Sequence, residues 1–341
     1  MEIAFDPAAI RARAQQTLFA ISSFLPIGSW RVNLHATDAA YAETLGLLLR
    51  QGIGKRPLLP NPDLTLYLVG VPADNELFPT SLPQEEGEIA QWQTLINDVE
   101  MLFTGWFRVF AYPQQIIIVI REPQFSQRAF RDHLFATLSK LLFRANRFYI
   151  HAAAVAWQEQ VSLFVAPGGF GKSTITLRLA QAGATVLSED HVLLRRDENG
   201  RFWVSGCQET ARVTAKTEKM IFAQPLDKTA VVTNQQLPKK LFDVADYFTA
   251  DPYTDYPFQN IFFNHLGEQF QIQPISRQET ILRLLYMTRS FFRYSETADL
   301  SHYLNFFSDL VMERNCFNLE LSPNLKDLDK LIVFLNNKIN A

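Results

Sequence analysis

Residues 162–190, SLFVAPGGFGKSTITLRLAQAGATVLSED, constrain the fold more than any other stretch of the chain. Residues 163–165 form a short apolar run of the kind that fills a buried strand. A loop follows, Ala166-Pro167-Gly168-Gly169-Phe170-Gly171-Lys172-Ser173. In residues 174–182, Ile175, Leu177 and Leu179 alternate with small and polar side chains, and Gly183 stands where a helix would end. Strand, glycine loop, Lys-Ser and helix, in that order, are the setting of a phosphate-binding P-loop. Glycines let successive backbone N–H groups turn inward around an anion, and the helix points its positive end at the same place. In this setting Lys172 reaches the β- and γ-phosphates and the Ser173 hydroxyl ligates Mg²⁺. The expected nucleotide-binding set is Gly168, Gly169, Phe170, Gly171, Lys172, Ser173 and Thr174. The first motif position holds Ala166 rather than Gly. A second apolar run, residues 184–187, ends in Ser188-Glu189-Asp190. A carboxylate at the end of a neighbouring core strand is placed to hold the metal of such a loop.

The surrounding window extends the pattern. His151-Ala152-Ala153-Ala154-Val155 begins 21 residues before Lys172. A His before a strand, then the glycine loop, then paired acids, at this spacing, resembles the catalytic domain of HPr kinase/phosphorylase and its relatives. That family shares its nucleotide-binding fold with ATP-dependent phosphoenolpyruvate carboxykinase. The resemblance covers roughly residues 147–215 and weakens beyond them. Two features depart from the family: its usual Asp-Asp pair is Glu189-Asp190 here, and its C-terminal Gly-Lys-Asn signature is absent. The resemblance implies an α/β fold with a P-loop catalytic domain of the HPr kinase/phosphoenolpyruvate carboxykinase type; it does not reach the residues before Arg144, where an N-terminal α+β domain is read from the local patterns alone. It implies ATP and Mg²⁺ as cofactors and transfer of the γ-phosphoryl group to a hydroxyl, with a Ser of a protein or peptide as the expected acceptor. His151, Lys172, Glu189 and Asp190 are then the catalytic set, with His151 beside the γ-phosphate and the metal. Ser173 and Asp190 would hold the metal and Glu189 would accept the hydroxyl proton; the reverse order of the two acids stays open.

Composition bounds the alternatives. A chain of 341 residues has room for two domains, read as an N-terminal α+β recognition domain over 1–145 and a catalytic domain over 146–341. A hydrophobic fraction of 48% with 28 Phe supplies a sizeable core. The net charge of −3 gives no electrostatic case for nucleic acid or an anionic membrane as partner. No apolar run approaches the ~18 residues of a membrane span, and the first residues lack the apolar centre of a signal peptide. Two distant cysteines, Cys207 and Cys316, fit a reducing compartment, so the expected location is the cytoplasm. A homo-oligomer is left open.

Before the catalytic unit, helices are expected over 10–24, 38–49 and 126–143, and strands over 30–34 and 64–69. Residues 106–111 and 115–120 read as a hairpin, and 72–88, with three prolines and Glu85, Glu86 and Glu88, as a surface loop. After it, 148–157 reads as one strand beside 161–165, and 192–194 with 202–205 as a hairpin about Asp197-Glu198-Asn199-Gly200. The polar segment 226–257 reads as an excursion able to cover the site. A strand over 261–263, a helix over 277–287 capped by Ser276, a helix over 300–312, a strand over 317–321 and a helix over 325–336 complete the chain. Arg289 and Arg293 are candidate phosphate-facing cations. The rival readings are a small-molecule kinase, a nucleotide-gated binding protein without transfer and, furthest off, a carboxykinase. A phosphorylated metabolite would mark the first, and tight ATP binding without turnover the second.

Overall fold

The computed structural model describes residues 6–53, 56–72, 75, 92–94, 99–103, 107–121, 138, 142–143, 145–226, 230–234, 237–288, 297–322 and 324–339. The chain divides into two compact units, Met1–Thr137 and Leu138–Ala341, of mixed α/β structure. No described helix is long and apolar enough to cross a membrane.

The first unit is built on one sheet. Its elements are α1 (Pro7–Gln16), β1 (Ile21–Ile27), β2 (Trp30–Ala36), α2 (Ala39–Leu49), β3 (Leu64–Val71), β4 (Trp92–Thr94), β5 (Glu100–Phe103), β6 (Phe107–Tyr112) and β7 (Gln115–Arg121). The strand order is β1-β2-β3-β7-β6-β5-β4. Strands β2, β3 and β7 run parallel; the other neighbours are antiparallel. The helix expected over 10–24 ends at Gln16, and from Ile21 the chain is β1. The correction has a physical cause. Gly28 adopts φ +58°, so the chain turns back after Ile27 and every residue of β1 pairs with β2. Leu25 and Ile27 are fully buried there, and that burial outweighs a weak helical pattern. Helix α2 starts where expected, because the Asp38 carboxylate accepts from the Ala40 amide at 2.8 Å. Most of 72–88, Trp106, and nearly all of the helix expected over 126–143 lie outside the described residues.

In the second unit the strands are β8 (Arg147–Ile150), β9 (Ala152–Trp157), β10 (Gln160–Val165), β11 (Thr185–Ser188), β12 (Val192–Arg196), β13 (Phe202–Gly206), β14 (Thr210–Thr214), β15 (Ala230–Asn234), β16 (Leu237–Asp243), β17 (Tyr256–Leu266), β18 (Gln271–Pro274) and β19 (Asn315–Leu321). The helices are α3 (Lys172–Gln181), α4 (Ala215–Ile221), α5 (Arg277–Thr288), α6 (Thr297–Met312) and α7 (Leu328–Ile339). The long strand β17 joins two sheets. Its start pairs with β13, which leads through β12 to β8. Its remainder lies parallel to β10 on one side and β19 on the other, and β10 leads through β9 to β11.

Both faces of β10 and β9 are buried, which is why these strands are continuous apolar runs rather than alternating ones. Leu163, Val165, Ala152 and Ala154 pack with Leu284, Tyr303, Phe307 and Leu310 of α5 and α6. Phe164, Ala153 and Val155 face the other way, onto Ile175 and Leu179 of α3 and Leu331 and Leu335 of α7. The outer face of α3, through Leu177 and Ala180, covers a small sheet of β14, β16 and β15. Part of the segment expected to be a polar excursion over the site is therefore a sheet: β16 pairs with both β14 and β15, and Phe242 and Val244 are buried against α3's neighbours.

The end of β13 packs closely on β11. A Cβ at Gly206 would collide with the carbonyl of Leu187 and approach Pro252. Gly206→Ala is expected to destabilise the protein by about 1–3 kcal/mol, the usual range for overpacking. Thermal unfolding checks this, with Gly168→Ala as the matched control, since a Cβ there meets nothing within 4 Å.

Candidate active site

Strand direction brings the chemistry to one edge of the sheet. β10, β17 and β19 are parallel, and β11 runs the same way, because β9 is antiparallel to both β10 and β11. The glycine loop leaves the end of β10, Glu189 and Asp190 leave the end of β11, and His151 enters at the start of β9. That is the carboxyl edge of the parallel strands, where ligands of open α/β sheets bind. The strand expected over 148–157 is two strands. β8 pairs with β12 and β9 with β10 and β11, and His151 is the bend where the chain changes neighbours. A residue at such a break is held by backbone on both sides, with its ring left to face the edge.

The loop itself has the geometry its composition implies. Gly169 and Gly171 have φ of +89° and +86°, in the region where side chains are strained. Gly171 is the N-cap of α3, and it makes no side-chain cap, so the first amides of the helix are not claimed from that position. At the other end, Gly183 takes φ +102°, its amide bonds Ala180 O, and the Ala184 amide bonds Leu179 O, each at 3.0 Å. This double closure is a Schellman motif, and it sends the chain directly into β11.

Lys172 is 5% exposed, and its ammonium is fully engaged. Nζ donates to Ala166 O at 2.6 Å and Pro167 O at 3.2 Å and lies 3.0 Å from His151 Nε2. An ammonium can only donate, so His151 Nε2 accepts. This leaves the ring proton on Nδ1, which lies 3.3 Å from Asp190 Oδ1. Lys172 Nζ is itself 3.8 Å from that oxygen. Lys172, His151 and Asp190 thus form one closed triangle of charge and hydrogen bonding.

Ser173 belongs to a different pair. Its hydroxyl donates to Glu189 Oε1. Glu189 is buried, and Asp190 is partly exposed. The two acids therefore face different partners: Glu189 the loop serine, Asp190 the histidine and lysine. The expected metal pair, Ser173 with Asp190, is not the one brought together; Ser173 meets Glu189 instead. Thr174, the next residue of the predicted set, lies 3.3 Å from the Thr217 hydroxyl of α4. Phe170 stands at the loop tip with its side chain open to solvent, and Gly168 is likewise exposed. Arg289 and Arg293 lie outside the described residues.

Two residues that the sequence did not single out join the site. The His191 and His151 rings are 5.2 Å apart, and His151, Asp190 and His191 offer ligand atoms within 4.8 Å of one another. Gln208, buried between β13 and β14, holds His191 Nδ1 at 2.7 Å and meets the Ser188 hydroxyl at 3.4 Å. The adjacency of His191 to the acid pair was a usable signal; nothing in the sequence links Gln208 to it.

No family model matches the chain, and no curated protein matches it. Among solved structures, it is similar to the Hpr(Ser) kinase/phosphatase from Coxiella burnetii at 11% identity and a TM-score of 0.29, with 56% of this chain and 97% of that one covered.

Proposed function

We propose that this chain is an ATP-dependent phosphotransferase whose second unit is a P-loop domain of the HPr kinase-like type, acting on a hydroxyl. The observation that carries the reading is the convergence of His151, Lys172, Ser173, Glu189 and Asp190 on one edge of the sheet around a glycine loop at a helix N-terminus. The parts match the needs of phosphoryl transfer, which are positioning and charge neutralisation. Lys172 would turn from the loop carbonyls to the phosphate oxygens. The paired oxygens of Ser173 and Glu189 are hard donors and suit Mg²⁺, which would neutralise phosphate charge when bound. Asp190 would accept the hydroxyl proton, with its carboxylate fixed by His151 Nδ1–H. This order of roles is the reverse of the one assigned from sequence, and the Ser173–Glu189 pair is what favours it.

A Ser of a protein or peptide is the proposed acceptor. The first unit, with its own seven-stranded sheet, would supply the recognition surface, since contacts remote from the hydroxyl can orient it for transfer. Incubation with Mg-ATP, followed by mass spectrometry of candidate proteins and of metabolite pools, tests this. A phosphoserine on a protein is expected. A phosphorylated metabolite with every protein unmodified would replace the acceptor with a small molecule.

A further inference from the structure

A buried carboxamide sits unused beneath the glycine loop. Phe263 of β17 pairs with Val165, the last residue of β10, so Asn264 is level with Ala166, where the loop leaves the sheet. Phe262 packs on the side of α3, as does Leu319, the register partner of Asn264 on β19. Side chains two apart on a strand share a face, so Asn264 also faces α3. The loop rests on that face too, for a Cβ at Gly171 would meet the Leu321 side chain. Asn264 is 5% exposed, and among the described residues neither its Nδ2 nor its Oδ1 has a hydrogen-bond partner. Buried polar atoms are rarely left so, and an amide unpaired at both ends calls for an explanation. Further back on the same face the polar groups are matched: Asn260 bonds Ser162 at 3.4 Å and Asn315 at 3.3 Å. The unpaired group is the one at the ligand edge.

We infer that Asn264 is a positioning residue of the phosphate loop, whose Nδ2 donates to a loop carbonyl when a polyphosphate is bound. The inference rests on the phosphate-binding reading of the loop. At present Lys172 supplies the donors for Ala166 O and Pro167 O. A phosphate chain competes for that ammonium, and a carbonyl it releases needs another donor. Asn264 lies level with Ala166 and carries two N–H groups. Its pairing belongs to the bound state and is absent from the free one, so it adds to affinity rather than to the stability of the free protein.

The test is calorimetric titration of inorganic tripolyphosphate and of Mg-ATP into the full chain, as wild type, Asn264→Leu, Asn264→Ala and Lys172→Ala, with thermal unfolding of each free protein. Asn264→Leu replaces an unpaired buried amide by an apolar group of similar size, so the free protein should unfold at or above the wild-type temperature. Its affinity for tripolyphosphate should nevertheless fall about tenfold, the worth of one good hydrogen bond. Asn264→Ala should show the same loss of affinity and serves if the Leu variant does not fold. A merely structural asparagine would change unfolding and leave affinity alone. If wild type binds tripolyphosphate, Lys172→Ala does not, and either folded Asn264 variant binds as wild type does, the role of Asn264 is overturned and the loop reading stands. If wild type binds neither ligand, the loop reading falls and this inference falls with it.

Discussion

Lys172→Ala is expected to remove the stabilisation of this protein by Mg-ATP. A ligand present at about 100 times its Kd adds about 2.7 kcal/mol to the folded state, and the variant should gain close to none of it. The effect is large because the Lys172 ammonium is the cation at the centre of the loop, within reach of two loop carbonyls, His151 and Asp190 at once. No other cation among these contacts can take its place over the phosphates. The variant also leaves Asp190 and His151 without their shared partner, so the site loses its closed triangle as well as its charge. Thermal unfolding with and without Mg-ATP measures the difference directly. A variant that melts higher with nucleotide by as much as the wild type does would refute the assignment of residues 166–173 as a phosphate loop.

The second large effect separates the two acids. Asp190→Asn should retain nucleotide binding and lower transfer by roughly 10² to 10⁴, the range for loss of a general base. Glu189→Gln should instead weaken the Mg²⁺ requirement and nucleotide binding together, since the Ser173–Glu189 pair loses its anionic half. The reason lies in the contacts of each acid. The two acids bend away from the end of β11, where Glu189 meets the Ser173 hydroxyl and Asp190 meets His151 and Lys172, and β11 shifts register against β9 between Val186 and Ser188. Titration of Mg²⁺ and ATP into each variant, with transfer rates at saturation, decides the matter. The opposite pattern would restore the order first read from sequence.

Much of the second unit was legible because its local and global signals agree. Residues 163–165 are apolar on both faces, two of the loop glycines, Gly169 and Gly171, take positive φ, and Gly183 caps the helix in the left-handed region. Each is a short-range feature, written within a few residues. The helix over 277–287 was legible for the same reason, with the Ser276 hydroxyl accepting from the Glu279 amide at 3.3 Å. What failed depended on distant pairing. The run 148–157 is apolar apart from His151, and one polar residue does not say that the chain changes strand partners there. Residues 237–243 look polar because Lys239 and Lys240 sit on a strand of the small outer sheet, with Lys240 paired to Glu218 at 2.7 Å. The split between Glu189 and Asp190, the bond from Gln208 to His191 and the position of Asn264 under the loop follow from register between segments far apart in the chain. A single sequence carries that information only through the fold.

Whether the loop of Lys172 and Ser173 holds ATP for transfer of its γ-phosphoryl group is decided with ATP labelled separately at the α and γ positions. The protein is incubated with each, with Mg²⁺ and a mixture of candidate acceptors, as wild type and as Lys172→Ala. Label is expected on an acceptor hydroxyl from γ-labelled ATP alone, and none from either nucleotide with the variant. Transfer from the α position, or undiminished γ transfer by Lys172→Ala, would contradict that role of the loop, as would ATP bound by the wild type and recovered intact.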